Sequence, residues 1–212
     1  IGRPFAVGVE LPAALLVERY LEVEEGLALK RRLGEALAAL PKFQALVGRR
    51  ELFQTVTLTD AFRWRHHQDW GKGAAAKAIE GIRSRSQHLR AEAAYAASFR
   101  DAPPACRRME RDELLQAVQA RVQQGVAAHQ GQVQQWVVLD GVLAHTEIYD
   151  LIGVESLVQA FQAAAAADPE AVLMVRDDET LLLPSDSRAT EIVEFVNWLR
   201  AGNCKVGGVV LG

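Results

Sequence analysis

The sequence predicts an α/β or α+β protein in which a mainly helical region, residues 1–130, precedes a small sheet with helices packed on it, residues 131–212. In the first region, apolar residues recur at spacings of three and four, which is typical of amphipathic helices. In the second, short apolar runs alternate with helical patterns in the order β-β-α-β-(β)-α-β. A chain of 212 residues with 50% hydrophobic content can bury one sizeable core or two small ones. The change near residue 131 therefore marks two domains or two layers of one domain.

The elements of the first region are predicted from their apolar patterns and from the prolines that bound them. Alternation of β-branched and other residues indicates a strand, and a proline cannot continue a helix. The alanine-rich stretch that ends before Pro103 and Pro104 predicts one long helix. In chain order we expect an extended segment over 3–12, a helix over 29–40, a strand over 52–58, a helix over 74–100 and a helix over 114–126 followed by Gly131.

The second region begins with a compact apolar strand over residues 136–139. Asp140-Gly141 is a tight-turn signal, so it predicts a hairpin into a second strand over 142–149. The apolar run 171–175 predicts a buried strand that pairs with 180–183 across the charged turn 176–179. The remaining predicted elements are a helix over 154–167, a helix from Asp186 to Gly202 that buries Ala189, Ile192, Val193, Val196 and Leu199, and a closing strand over 206–211.

The C-terminal part of the sequence resembles the periplasmic domain of the ExbD/TolR family of proton-motive-force transducers. The resemblance lies in residues 157–161, 167–177, 192–202 and 205–210, together with a Gly-Val-Glu-Leu-Pro segment at residues 8–12. In that family a helix leads to a strand with a terminal acidic residue, and a second helix then leads to a Lys-Val-Gly strand. The family's membrane helix has no counterpart here. The resemblance implies a sheet-and-helix unit and a periplasmic location; without it, a cytoplasmic location is the default.

Charge is distributed unevenly along the chain, whose net charge is −3. Residues 60–112 contain eleven basic and seven acidic side chains, whereas residues 131–212 contain four basic and twelve acidic ones. This polarity argues against wrapping of the whole protein around nucleic acid, but it permits a local basic face. Cys106 and Cys204 match no zinc or redox spacing, so we expect two buried thiols rather than a disulfide. No apolar run has the length of a membrane-spanning helix.

The basic loop over residues 62–73 is the densest candidate site. Arg63, Arg65 and Lys72 could neutralise phosphate while Trp64 stacks on a base, which makes these four residues candidates for anion or nucleic-acid binding. The alternative is a loop whose tryptophans pack inward and whose arginines are solvated. The loop lacks the glycine and Lys-Ser/Thr spacing of a nucleotide-binding loop.

Candidate catalytic residues are His66, His67, Asp69 and Glu147, in the event that the protein is an enzyme. Glu147 lies two residues from His145, so the pair could form a general base, or the polar face of a strand. Asp60, His66, His67 and Asp69 do not have the spacing of zinc ligands, and residues 176–179 suit a charged turn as well as a cation site. We therefore expect neither a metal nor a cofactor.

These observations favour a non-catalytic protein-interaction or scaffold domain of a larger bacterial assembly. The acidic residues 131–212 would face the protein partner, and the basic loop would face an anion. One alternative is an enzyme that acts on a phosphate-containing substrate through residues 63–72. A second alternative is a nucleic-acid-binding module. The sequence does not predict an oligomeric state.

Overall fold

The structure is a computed structural model that describes residues 8–11, 45–46, 49–66, 72–177 and 186–211. The described residues form six strands: β1 (Gly8–Leu11), β2 (Thr55–Leu58), β3 (His88–Ala91), β4 (Gln135–Asp140), β5 (Val172–Asp177) and β6 (Gly208–Leu211). The main helices are α1 (Lys72–Ser84), α2 (Arg111–Ala127), α3 (Glu147–Ile152), α4 (Glu155–Ala167) and α5 (Asp186–Ala201). Short helical turns occupy Trp64–His66 and Pro104–Arg108.

The six strands form one sheet in which every neighbouring pair is parallel and the spatial order follows the chain, β1 to β6. Parallel neighbours require crossover connections, and α1, α2, α3 with α4, and α5 occupy the connections between β2 and β6. A parallel sheet with sequential strand order and intervening helices resembles part of a (β/α)8 barrel. The predicted α/β class is confirmed.

The core lies between the sheet and its helices. Residues on one face of the central strands, including Leu89, Trp136 and Val175, are buried. The Trp136 ring packs edge to face on Phe62, with ring centroids 5.3 Å apart. The opposite face carries charged residues near the carboxyl ends of the strands, where Asp140 pairs in register with Arg176.

Two predicted elements are wrong because parallel pairing replaces the expected local structure. The helix expected over 74–100 ends at Ser84, since Ser86 adopts a left-handed conformation (φ 55°) and the chain then enters β3. The hairpin expected at Asp140-Gly141 is absent: the Gly141 N–H donates to the Arg176 carbonyl oxygen, 3.1 Å away, so the chain stays beside β5. The expected strand over 142–149 is instead a turn that leads into α3.

The helices and strands after α3 follow the prediction more closely. Strands β5 and β6 are hydrogen-bonded neighbours, and α5 buries Ile192, Val196 and Leu199, as expected. Ala189 and Val193 were expected on the same face, but both are exposed, Val193 by 58%. The buried face of α5 is therefore a narrow stripe at i, i+4 and i+7, and Val193 lies about 100° away from it.

Some predictions fall outside the described residues, namely the helix over 29–40 and the strand over 180–183. The boundary near residue 131 stays a prediction, and the sheet continues across it because β3 pairs with β4. Both cysteines are free and buried, as expected. Within the described part of the chain, every helix is too short or too polar to cross a lipid bilayer.

Candidate active site

An open cleft of about 430 Å³ lies at the carboxyl ends of β4 and β5 and is bordered by the segment that follows β3. The residues that line it are Arg63, Ser98, Arg100, Asp101, Arg107, Asp140, Gly141, Ala144, His145, Glu147 and Asp177. In barrels built from parallel strands, the carboxyl ends of the strands are where active sites are found. The cleft is therefore the candidate site.

Arg63 binds the carboxylate that ends β4. Its Nη2 lies 2.6 Å from Asp140 Oδ2, and its Nε donates to the Thr59 carbonyl oxygen at 2.6 Å, which fixes the direction of the side chain. Its guanidinium also lies 3.4 Å from Asp101 and 3.8 Å from Glu92. Burial disfavours the charge of Arg63, but these three carboxylates outweigh that effect and hold its pKa above the ordinary value.

Arg176, at the end of β5, forms the second cationic centre. Its Nη1 contacts Glu92 Oε1 and lies 3.0 Å from Glu10 Oε2, while its Nε lies 3.9 Å from Asp140 Oδ1. Glu92 follows β3, and its side chain is completely buried. Burial raises the pKa of Glu92 to about 7, an effect that Arg176 opposes and that Asp140 and Glu10 reinforce.

A third ion pair joins β5 to α5. Arg188 donates to both carboxylate oxygens of Asp177, at 2.6 and 3.1 Å, which is a bidentate arrangement. Asp177 is almost completely buried, although it contributes to the lining of the cleft. This contact fixes the start of α5 relative to the floor of the cleft.

The rim of the cleft is exposed and carries charges of both signs. Arg100 and Arg107 lie on the segment after β3, and the Arg107 guanidinium sits over the Phe99 ring, 5.4 Å from its centroid. His145 lies in the turn after β4, and Glu147 begins α3. The cleft thus combines arginine-bound carboxylates at its floor with an exposed carboxylate and an imidazole at its rim.

The structure brings some of the sequence-predicted residues together in this cleft. Arg63, His145 and Glu147 all line it, whereas Trp64 is buried and Arg65 is exposed outside its lining. Lys72 begins α1. The side chains of Lys72 and of His66 lie outside the described residues, as do His67 and Asp69 entirely. Among the described residues, no group of three or more metal-ligating side chains is present.

Sequence reasoning missed Glu92 and Arg176 as site residues and assigned Asp140 to a turn. The position of Glu92 and Asp140 in the sequence could have identified them, since Glu92 directly follows β3 and Asp140 ends β4. That signal was hidden because β3 was predicted as part of a helix. A polar residue at the carboxyl end of each parallel strand would then have indicated a shared site.

Comparisons with known proteins give one consistent picture. No family model matches the chain. Endo-1,4-beta-xylanase 2 of Claviceps purpurea is 27% identical over 106 residues, which are 47% of this chain and 32% of that protein. Among solved structures, a GH10 endoxylanase from a sugarcane soil metagenome matches 98% of this chain and 57% of its own, with a TM-score of 0.75 and 19% identity. Xylanase 10B of Thermotoga petrophila RKU-1, in complex with xylobiose, matches 97% of this chain and 59% of its own, with a TM-score of 0.76 and 15% identity.

These comparisons establish the fold and correct the predicted relationship. The chain has the fold of these endoxylanases and spans less than two thirds of their length. The predicted resemblance to the ExbD/TolR family is wrong. The C-terminal segments on which that resemblance was based form the helices α4 and α5 and the parallel strands β5 and β6. Alternation of helices and strands, with an acidic residue after a strand, is common to many α/β folds.

The comparisons also overturn the predicted functions. A non-catalytic scaffold or protein-interaction domain of a bacterial assembly is wrong, because the proteins that the chain resembles are xylanases. The enzyme acting on a phosphate-containing substrate and the nucleic-acid-binding module are unsupported for the same reason. The basic loop misled the prediction: Arg63 is a member of an ion-pair cluster with Asp140, Asp101 and Glu92.

Proposed function

We propose that this chain forms the carboxylate-bearing side of a (β/α)8-barrel glycoside hydrolase that cleaves β-1,4-linked xylose polymers. The observation that carries the proposal is the match of 97–98% of the chain to endoxylanase structures with TM-scores of 0.75 and 0.76. The cleft at the carboxyl ends of the strands supports it, because this is where the fold holds its catalytic groups. The sequence relative is an endo-1,4-beta-xylanase as well.

Cleavage of a glycosidic bond requires two carboxyl groups, one to donate a proton and one to act as a carboxylate. We assign the carboxylate to Asp140, which ends β4, lines the cleft and is bound by Arg63. We assign the proton donor to Glu147, an exposed cleft residue near His145. Within the described residues Glu147 forms no ion pair, so its carboxyl group can approach a sugar oxygen.

The proposed reaction follows from these positions. Glu147 gives its proton to the glycosidic oxygen as the bond from that oxygen to the sugar's anomeric carbon breaks. Positive charge develops on the sugar ring, and the Asp140 carboxylate stabilises it. Water supplies the hydroxyl group of the new reducing end, and the remaining proton of that water restores the carboxyl group of Glu147. Arg63 contributes by holding Asp140 in one orientation.

The test is hydrolysis of β-1,4-xylan by the chain and by three variants. We expect Asp140→Asn and Glu147→Gln each to reduce the release of reducing ends by about 100-fold or more, the usual size of a general acid–base contribution. Asp150→Asn is the matched control, because Asp150 lies on α3, is exposed and bonds to Thr146 rather than lining the cleft. If wild type releases no sugar, the proposed function is wrong; if both variants retain full activity, the assignment of the two carboxyl groups is wrong.

Several sequence predictions stay predictions beside this proposal. They are the division of the chain at residue 131, a protein partner for its acidic part, and anion contacts by Arg65 and Lys72. Roles for His66, His67 and Asp69 also stay predictions.

A further inference from the structure

Two arginines and two carboxylates form a closed network below the cleft. Arg63 lies 2.6 Å from Asp140 and 3.8 Å from Glu92. Arg176 contacts Glu92 and lies 3.9 Å from Asp140. Each carboxylate therefore faces both guanidinium groups. Asp140 lines the cleft, whereas Glu92 does not, and the Glu92 side chain is completely buried behind it.

We propose that Glu92 is a positioning residue that controls, through Arg63 and Arg176, how firmly Asp140 is held at the floor of the cleft. The inference rests on the proposed function, because it concerns the carboxylate assigned to the reaction. An ionised Glu92 attracts both guanidinium groups and so competes with Asp140 for them. A protonated Glu92 has no negative charge to attract the guanidinium groups of Arg63 and Arg176, so both groups then interact mainly with Asp140.

The burial of Glu92 makes this competition strong. Charges interact more strongly where water is excluded, and the side chains of Glu92 and Asp140 are 0% and 7% exposed. The second oxygen of Glu92, Oε2, accepts no hydrogen bond from the described residues, so only the two guanidinium groups offset its charge directly. Protonated Glu92 would be equally isolated from water, but its burial would cost less free energy because it carries no charge.

The charged groups around Glu92 come from β1, β3, β4 and β5 and from the segment after β3. Glu10 of β1 lies 3.0 Å from Arg176, and Asp101, after β3, lies 3.4 Å from Arg63. Arg90 of β3 is half-buried, bonds to Gln135 at 2.9 Å and has its pKa lowered by burial, an effect that Glu10 and Glu92 oppose. With Glu92 ionised, the carboxylates of Glu10, Glu92, Asp101 and Asp140 outnumber the guanidinium groups of Arg63, Arg90 and Arg176. Protonation of Glu92 makes the numbers of negative and positive charges equal.

Glu92 can change its charge under ordinary conditions, since burial raises its pKa to about 7. The variant Glu92→Gln imitates the protonated form. Wild type and variant should therefore behave alike at pH 5.5 and diverge at pH 8.5, where only the wild type carries the extra charge. A residue with a merely structural role would lower activity by the same factor at every pH.

The experiment compares kcat and KM on a β-1,4-linked xylose oligosaccharide between pH 5.5 and 8.5. We expect the ratio of the wild-type kcat to that of Glu92→Gln to change about tenfold across pH 7, with KM within about twofold, because only the wild type gains the Glu92 charge there; tenfold corresponds to about 1.4 kcal/mol. Glu51→Gln is the matched control, because Glu51 is exposed, pairs with Arg49 and is not a member of the network. Its ratio to wild type should stay nearly constant with pH. A constant ratio for Glu92→Gln would overturn the inference.

A second measurement does not depend on activity. The carboxyl 13C signal of Asp140, assigned with Asp140→Asn, should shift in a step near pH 7 in the wild-type protein, and Glu92→Gln should abolish that step. The absence of the step in wild type would overturn the inference even if Glu92→Gln failed to fold. If wild type shows the step but hydrolyses no xylose polymer, the proposed function fails while the coupling of Glu92 to Asp140 stands.

Discussion

Replacement of Arg63 by alanine should strongly destabilise the protein, because it leaves buried carboxylates without one of the cations that they face. The Arg63 side chain is 23% exposed, and its partners Asp140 and Glu92 are 7% and 0% exposed. Removal of one partner from a buried ion pair costs about 3–5 kcal/mol. Arg176 remains in contact with Glu92 and 3.9 Å from Asp140, so we expect the lower end, about 3 kcal/mol at pH 8.

The cost of this substitution should also depend on pH, with a definite sign. The contribution of Arg63 requires ionised partners, so it is present at high pH and decreases as pH falls and the carboxylates gain protons. Because the pKa of Glu92 is about 7, its share of the contribution is lost between pH 8 and pH 5. We expect the cost to be smaller at pH 5 by about 1 kcal/mol, since one pKa unit corresponds to about that amount.

Urea unfolding followed by tryptophan fluorescence measures these free energies. The matched control is Arg49→Ala, which removes an ion pair with Glu51 whose two side chains are 57% and 60% exposed. An exposed pair contributes about 0–1 kcal/mol. A cost for Arg63→Ala no larger than that for Arg49→Ala would refute the argument that the cluster is a buried electrostatic unit. So would a cost that increases as pH falls from 8 to 5.

Three other predictions test the packing and the backbone. Leu199→Ala should lower the free energy of unfolding by about 2–5 kcal/mol, whereas Val193→Ala on the exposed face of α5 should change it by about 0.5 kcal/mol or less; equal effects would contradict the assigned helix face. Gly141→Ala should destabilise by about 1–2 kcal/mol because its φ is 62°, while Gly81→Ala in α1 should stabilise by about 0.5–1 kcal/mol; the same sign for both would contradict this. The two cysteine thiols, buried and with raised pKa, should react with a thiol reagent much more slowly in the folded protein than in urea; equal rates would contradict their burial.

The helices and strands of the last sixty residues could be predicted because each has a long apolar pattern and a clear end. Helix α4 runs into Asp168-Pro169, and α5 ends just before Gly202, so both ends have a recognisable residue. Strand β5 is an unbroken apolar run before its two charged residues. Such runs are typical of parallel strands, which are buried on both faces.

Strand β3 and the end of β4 could not be predicted, because their local signals are ambiguous. Strand β3 has only four residues and lies in an alanine-rich stretch, so helical propensity hid it until pairing with β2 and β4 determined its structure. Asp140-Gly141 is a turn signal in a hairpin and also occurs where a parallel strand ends. Only the position of the neighbouring strand distinguishes a hairpin turn from the end of a parallel strand.

The site was harder to predict than the fold because its contacts join distant parts of the chain. Glu92 and Arg176 are 84 residues apart, and Arg63 and Asp140 are 77 residues apart. No spacing rule connects them, since the sheet brings them together by placing the carboxyl ends of parallel strands side by side. Arg63 could be singled out as a candidate, but its partners could not.

The proposed cleavage of β-1,4-linked xylose polymers at the carboxyl ends of the strands is tested most directly by incubating the chain with a single β-1,4-linked xylose oligosaccharide in 18O-labelled water and analysing the products by mass spectrometry. We predict shorter oligosaccharides, one of each pair carrying a single 18O at its new reducing end, and about 100-fold less product or lower when Asp140 is replaced by Asn. An intact oligosaccharide after incubation with the folded wild-type chain would contradict the claim.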